Sequence, residues 1–139
     1  PRAKPSLNNR VDLNQHFIFS AAIKILSEQG FSMAIGEFKE LMDRGQGGSG
    51  YSFVDLAADF AGIEFAISAT SVSSARQLQN ILAGNINENT FFPSTIGLPE
   101  GISKASFERT FKQVDSPQYL KMVEKINTRI ADLPIHKAR

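Results

Sequence analysis

Residues 52–70 read SFVDLAADFAGIEFAISAT, and this stretch sets the architecture. Its apolar residues surround a helical cylinder almost completely, so a helix here must be buried on nearly every side. Ser52, with Asp55 three positions on, resembles a capping box with Asp in place of the usual Glu, which places the helix over about 53–70. Asp55, Asp59, Gly62 and Ala66 share one narrow face, and the small residues there allow a second helix to approach closely. Asp59 sits between Ala58 and Phe60. A carboxylate in such surroundings is costly unless paired, so it requires a partner, with His16 or Lys24 the expected one.

The preceding chain supplies two more helices. Asp12 reads as an N-cap for a helix over about 13–29 that ends at Gly30. Its apolar positions cover most of the circumference and predict extensive burial, apart from a polar stripe at Asp12, His16, Ser20, Lys24 and Ser27. Ser32 can cap a second helix over about 33–44, with Glu37, Glu40, Asp43 and Arg44 on or beside its polar side. Gly45 to Gly50 then form a glycine-rich loop. It follows a helix instead of a strand and lacks a Lys-Ser/Thr pair, so it is not a nucleotide-binding fingerprint.

Beyond residue 70, Ser73 to Ala83 predicts a short amphipathic helix with Leu78, Ile81 and Leu82 inward. Residues 84–102 form a long irregular loop, with Phe91, Phe92, Ile96 and Leu98 to pack it down. Ser103 starts a short helix to about Gln113. Ser116-Pro117 opens the last helix, which runs to about Leu133 on the period Tyr119, Val123, Ile126, Ile130, Leu133. The expected fold is therefore all-α: a single-domain bundle of five to six helices over 12–134. A flexible lead-in occupies 1–11 and a basic tail 135–139.

Composition narrows the function classes. A chain of 139 residues with 42% hydrophobic and 21% charged residues can bury its own core, which argues against disorder. With no Cys, disulfides, thiolate metal sites and thiol catalysis are excluded. No apolar run is long enough for a transmembrane helix. Residues 28–64 hold two Lys/Arg against seven Asp/Glu, while 101–139 hold eight against four. The basic third is interspersed with Glu108, Asp115, Glu124 and Asp132 and reads as a solvated face, so nucleic acid is not an expected partner.

The candidate chemistry lies at Asp12, His16, Glu40, Asp43, Asp55 and Asp59. In an antiparallel arrangement, the start of the first helix, the end of the second and the start of the third share one pole of the bundle. A His among carboxylates suits a divalent cation, with His16, Glu40, Asp55 and Asp59 as ligands. It suits acid–base work equally, because crowded carboxylates raise one another's pKa. A non-catalytic module, in which these groups are caps and ion pairs that fix helix register, is the rival reading. A lysozyme-like glycan hydrolase, with Glu40 as general acid and Asp43 or Asp55 as second carboxylate, is a third.

The pattern Asp12-x-x-x-His16-Phe17, Lys39-Glu40-x-x-Asp43 and Ser52-Phe53-x-Asp55-Leu56-x-Ala58-Asp59-x-x-Gly62 resembles a motif set of VanZ-like proteins and of predicted bacterial periplasmic lipoproteins. The resemblance covers about residues 12–66. It departs from the family at Leu13, where a Lys often follows the first Asp. It implies an envelope-facing bacterial protein, periplasmic or secreted, with cell-wall association, and it implies no particular reaction; a cytoplasmic setting is the alternative. The chain starts at Pro1, which is compatible with a removed signal or lipid-anchor segment.

Overall fold

Ser52 accepts a hydrogen bond from the Asp55 backbone N–H at 3.0 Å and so opens the central helix. The computed structural model describes residues 3–26 and 50–137. Among them the helices are α1 (Val11–Leu26), α2 (Phe53–Thr70), α3 (Ala75–Leu82), α4 (Lys104–Thr110), α5 (Pro117–Ala131) and α6 (Pro134–Lys137), with a 3-10 turn at Glu88–Thr90. There is no strand among the described residues, only isolated bridges joining Leu7 to Arg10 and Tyr51 to Ile102. The fold is all-α, as expected. The helix expected over 33–44, with Glu40 and Asp43, and the glycine loop up to residue 49 lie outside the described residues.

The apolar girdle of α2 becomes the core. Phe53, Leu56, Ala57, Ala58, Ala61, Ile63 and Ala66 are fully or almost fully buried. Around it pack α1, most extensively, then α3 and α5. The period of α5 delivers Tyr119, Ile126 and Ile130 into the same core, and Ser116 caps it by accepting from the Tyr119 N–H. At the N-terminal end of α2, Tyr51, Phe53, Phe107, Phe111 and Tyr119 form an aromatic cluster. Within it the Tyr51 and Tyr119 hydroxyls hydrogen bond at 2.6 Å.

The close approach expected of the small-residue face is present. A Cβ built on Gly62 would lie 2.1 Å from the Phe17 carbonyl oxygen of α1, so only glycine permits this contact. The approach sets α1 against α2 at the level of Asp59.

Several boundaries differ from the sequence expectation. Helix α1 begins at Val11, so Asp12 is in its first turn, not at the N-cap, and its carboxylate is held by Arg10. Ile18, Phe19 and Ile25 are more than half exposed, so α1 is less buried than its composition predicts. The segment read as a lead-in contains a turn in which Asn8 and Asn9 have positive φ, and Leu7 is buried. This turn is fastened to the long loop: the Asn8 N–H donates to Glu88, and its side-chain amide donates to Thr95 at 3.2 Å. In the loop Phe92 and Leu98 pack inward, but Ile96 is 83% exposed. Pro134 begins a further helical turn in place of a tail, and it buries Ile135 and His136.

Candidate functional site

The site is built on the α1–α2 seam. His16 and Ser20 stand one turn apart on α1; Asp55 and Asp59 stand one turn apart on α2. The Gly62 contact draws the two backbones together, so the polar stripe of α1 meets the carboxylates of α2. His16 Nδ1 lies 2.9 Å from Asp59 Oδ1, and Ser20 Oγ donates to the same oxygen at 2.9 Å. When Asp59 is ionised its Oδ1 can only accept, so in that state Nδ1 carries the proton and donates to it. The other ring nitrogen, Nε2, faces Asp55 Oδ2 at 3.6 Å.

An outer tier covers this core. Arg10 pairs with Asp12 through Nε (3.1 Å) and Nη2 (2.7 Å), and with Glu100 through Nη1 at 2.9 and 2.7 Å. Its Nη2 also approaches Asp55 Oδ1, at 3.9 Å. The loop that carries Glu100 is held there by a bond from the Phe53 N–H to the Pro99 carbonyl and by the Tyr51–Ile102 bridge.

Burial decreases outward: the side chain of Asp59 is 7% exposed, those of Asp55 and His16 are 16% and 18%, and that of Arg10 is 37%. Two carboxylate oxygens, Asp55 Oδ1 and Asp59 Oδ2, are buried without a hydrogen-bond partner among the described residues.

The electrostatics follow from this geometry. Burial pushes the carboxyls of Asp55 and Asp59 above the ordinary range, and the neighbouring imidazole only partly restores them. Burial alone would lower His16. The hydrogen bond to Asp59 and the charges of Asp59, Asp55 and Asp12 outweigh it, so the imidazole is raised. Asp12 moves the other way, held below the usual range mainly by its hydrogen bond to Arg10. The three inner groups therefore hold protons as a coupled set.

Of the residues singled out in the sequence, the fold brings together Asp12, His16, Asp55 and Asp59. Glu40 and Asp43 lie outside the described residues. So the four-ligand metal set and the hydrolase pairing each include a residue beyond the description. Among the described residues, no group of three or more His, Cys, Asp or Glu side chains is arranged to hold a metal ion.

The partner required for Asp59 is His16, joined by Ser20, which the polar stripe had marked. Sequence reasoning missed Arg10 and Glu100, which are 90 positions apart. The consecutive asparagines Asn8-Asn9 were the available signal, since Asn tolerates positive φ and marks a turn just before Arg10.

These features define a class: an all-α domain with an imidazole held between two aspartates at a helix–helix seam. No family model, no curated protein and no solved structure matches the chain.

Proposed function

We propose that the seam is an acid–base site in which His16 Nε2 and Asp55 exchange a proton, with Asp59 orienting the imidazole. The carrying observation is the state of Asp55. Among the described residues no donor hydrogen bonds its buried Oδ1, and its Oδ2 stops 3.6 Å from Nε2. With Nδ1 protonated toward Asp59, Nε2 and Asp55 face each other as two bases unless one of them holds a proton. A shared, mobile proton is what general acid–base chemistry requires. A distance slightly too long for a hydrogen bond is compatible with that role, because such contacts close when substrate binds.

A second reading is supported by the depth of Asp59 and its two donors from α1: a polar lock that fixes helix register. The two readings differ at Asp55. A buried carboxylate kept for chemistry costs stability, so Asp55→Asn should leave the protein as stable or raise it by about 1 kcal/mol. Asp59→Asn should lower stability by about 3 kcal/mol, because it strips the partly buried imidazole of its counter-charge. Urea unfolding of both variants measures this. A loss of more than about 2 kcal/mol in Asp55→Asn would assign the residue to the lock and overturn the acid–base reading. The resemblance of residues 12–66 supports an envelope-facing setting for this chemistry. Fractionation of cells that produce the chain from its full gene checks it, and recovery with the cytoplasm would count against it.

A further inference from the structure

We propose that Ser20 is a positioning residue: its hydroxyl pins the Asp59 carboxylate so that His16 keeps Nδ1 toward Asp59 and turns Nε2 to Asp55. The inference rests on the acid–base reading of the seam.

A serine inside a helix ordinarily bonds the carbonyl one turn back, which for Ser20 is that of His16. Here the hydroxyl instead crosses to α2 and donates to Asp59 Oδ1 at 2.9 Å, and Ser20 is itself buried. The crossing is possible because Gly62 lets the α1 backbone approach at Phe17, between His16 and Ser20.

The consequence is specific to one oxygen. A carboxylate held by a single donor can turn about its Cβ–Cγ bond and offer either oxygen, or withdraw from the ring. Held by donors from two successive turns of α1, Asp59 has one orientation. A neutral imidazole has one N–H, and the acceptor at one nitrogen decides which nitrogen is left bare. Ser20 therefore acts on Nε2 through Asp59.

The test uses the full chain labelled with nitrogen-15. Long-range proton–nitrogen correlation reads the two ring nitrogens of His16, and His16→Asn assigns them against His136. In the neutral ring, the unaltered protein should show Nδ1 protonated and Nε2 bare, with the two signals far apart. Ser20→Ala should shrink that separation as the second tautomer enters, and Ser20→Thr, which restores a hydroxyl, should recover it.

If Ser20→Ala folds poorly, Ser20→Cys keeps the volume with only a weak donor and should give the same collapse. A folded Ser20→Ala or Ser20→Cys with unaltered ring signals would overturn the proposal, whatever its melting temperature. The Asp55→Asn measurement judges the acid–base reading separately, because it does not depend on the His16 tautomer.

Discussion

At the scale of the residue, the seam's proton affinity sets how the fold responds to pH. His16, Asp55 and Asp59 are all raised relative to their ordinary values, so the folded chain binds more protons than the unfolded one. Stability then falls as pH rises, since its slope follows the protons bound by the unfolded minus the folded state. The His16 contribution is complete below the ordinary imidazole value of about 6.5 and is lost as pH climbs through the raised folded value. The contributions of Asp55 and Asp59 are complete below about 3.9 and are lost in the same way. Asp12 has the opposite sign, because its lowered value stabilises above the ordinary carboxylate range and fades in acid. It is the more exposed group and counts for less. Urea midpoints should decline between about pH 5 and about pH 8, and Asp59→Asn should flatten the decline. A midpoint that rises across that interval would contradict the burial assigned to these groups. These residues were only half legible in the sequence. Asp59 announced itself, because a carboxylate in an apolar helix demands a partner. Arg10 did not, because the local signal at Asn8-Asn9 marks a turn and says nothing of Glu100 across the intervening chain.

Elements were easier to read than residues. The bounds of α2 match the sequence expectation because its signals are local and agree: a Ser cap, an apolar surface interrupted only by a narrow acidic face and Glu64, and the end of that surface at Thr70. Helix α5 was legible for the same reasons, with Ser116 and Pro117 marking its start. The exposure of Ile18, Phe19 and Ile25 on α1 was not legible, since composition reports how apolar a face is and not what lies opposite it. The small-residue face of α2 was read correctly, and it carries a sharp test. Gly62→Ala places a methyl group 2.1 Å from the Phe17 carbonyl oxygen, and backbone cannot rotate away as a side chain can. The two helices must separate, at a cost of about 3 kcal/mol. Separation also draws His16 and Ser20 away from Asp59, so the variant should lose the tautomer preference of His16 as well as stability. Circular dichroism melts and the ring-nitrogen signals check the two halves. A Gly62→Ala protein of unaltered stability would mean that the helices are not in backbone contact.

For the whole molecule, the end of the chain behaves as part of the core, which the sequence reading did not foresee. Pro134 follows Leu133 and ordinarily stops a helix, and the residues beyond it look basic and polar. Proline also suits the first position of a new turn, however, and that is how it is used here. The turn returns α6 to the core, where it contacts α3 and α5. Ile135 is buried, and the imidazole of His136, also buried, hydrogen bonds through Nδ1 with the Ser68 hydroxyl at 3.0 Å. The Ser68 backbone carbonyl in turn accepts from the Ser74 hydroxyl at 2.8 Å, which ties the end of α2 to the start of α3. The end of α2, the start of α3 and the turn of α6, 68 positions beyond Ser68, thus close the pole of α2 opposite to the His16 seam. Ending the chain at Leu133 removes one fully buried isoleucine, worth about 2 kcal/mol, and leaves Ser68 without its imidazole partner, worth about 1 kcal/mol more. The truncated chain should therefore lose about 3 kcal/mol in urea unfolding. It should keep the His16 ring signals, because the seam lies at the other end of α2. A truncated protein as stable as the full chain would show that α6 rests on the surface and is no part of the core. Loss of the seam's signals together with stability would show instead that the two poles of α2 fold as one inseparable unit.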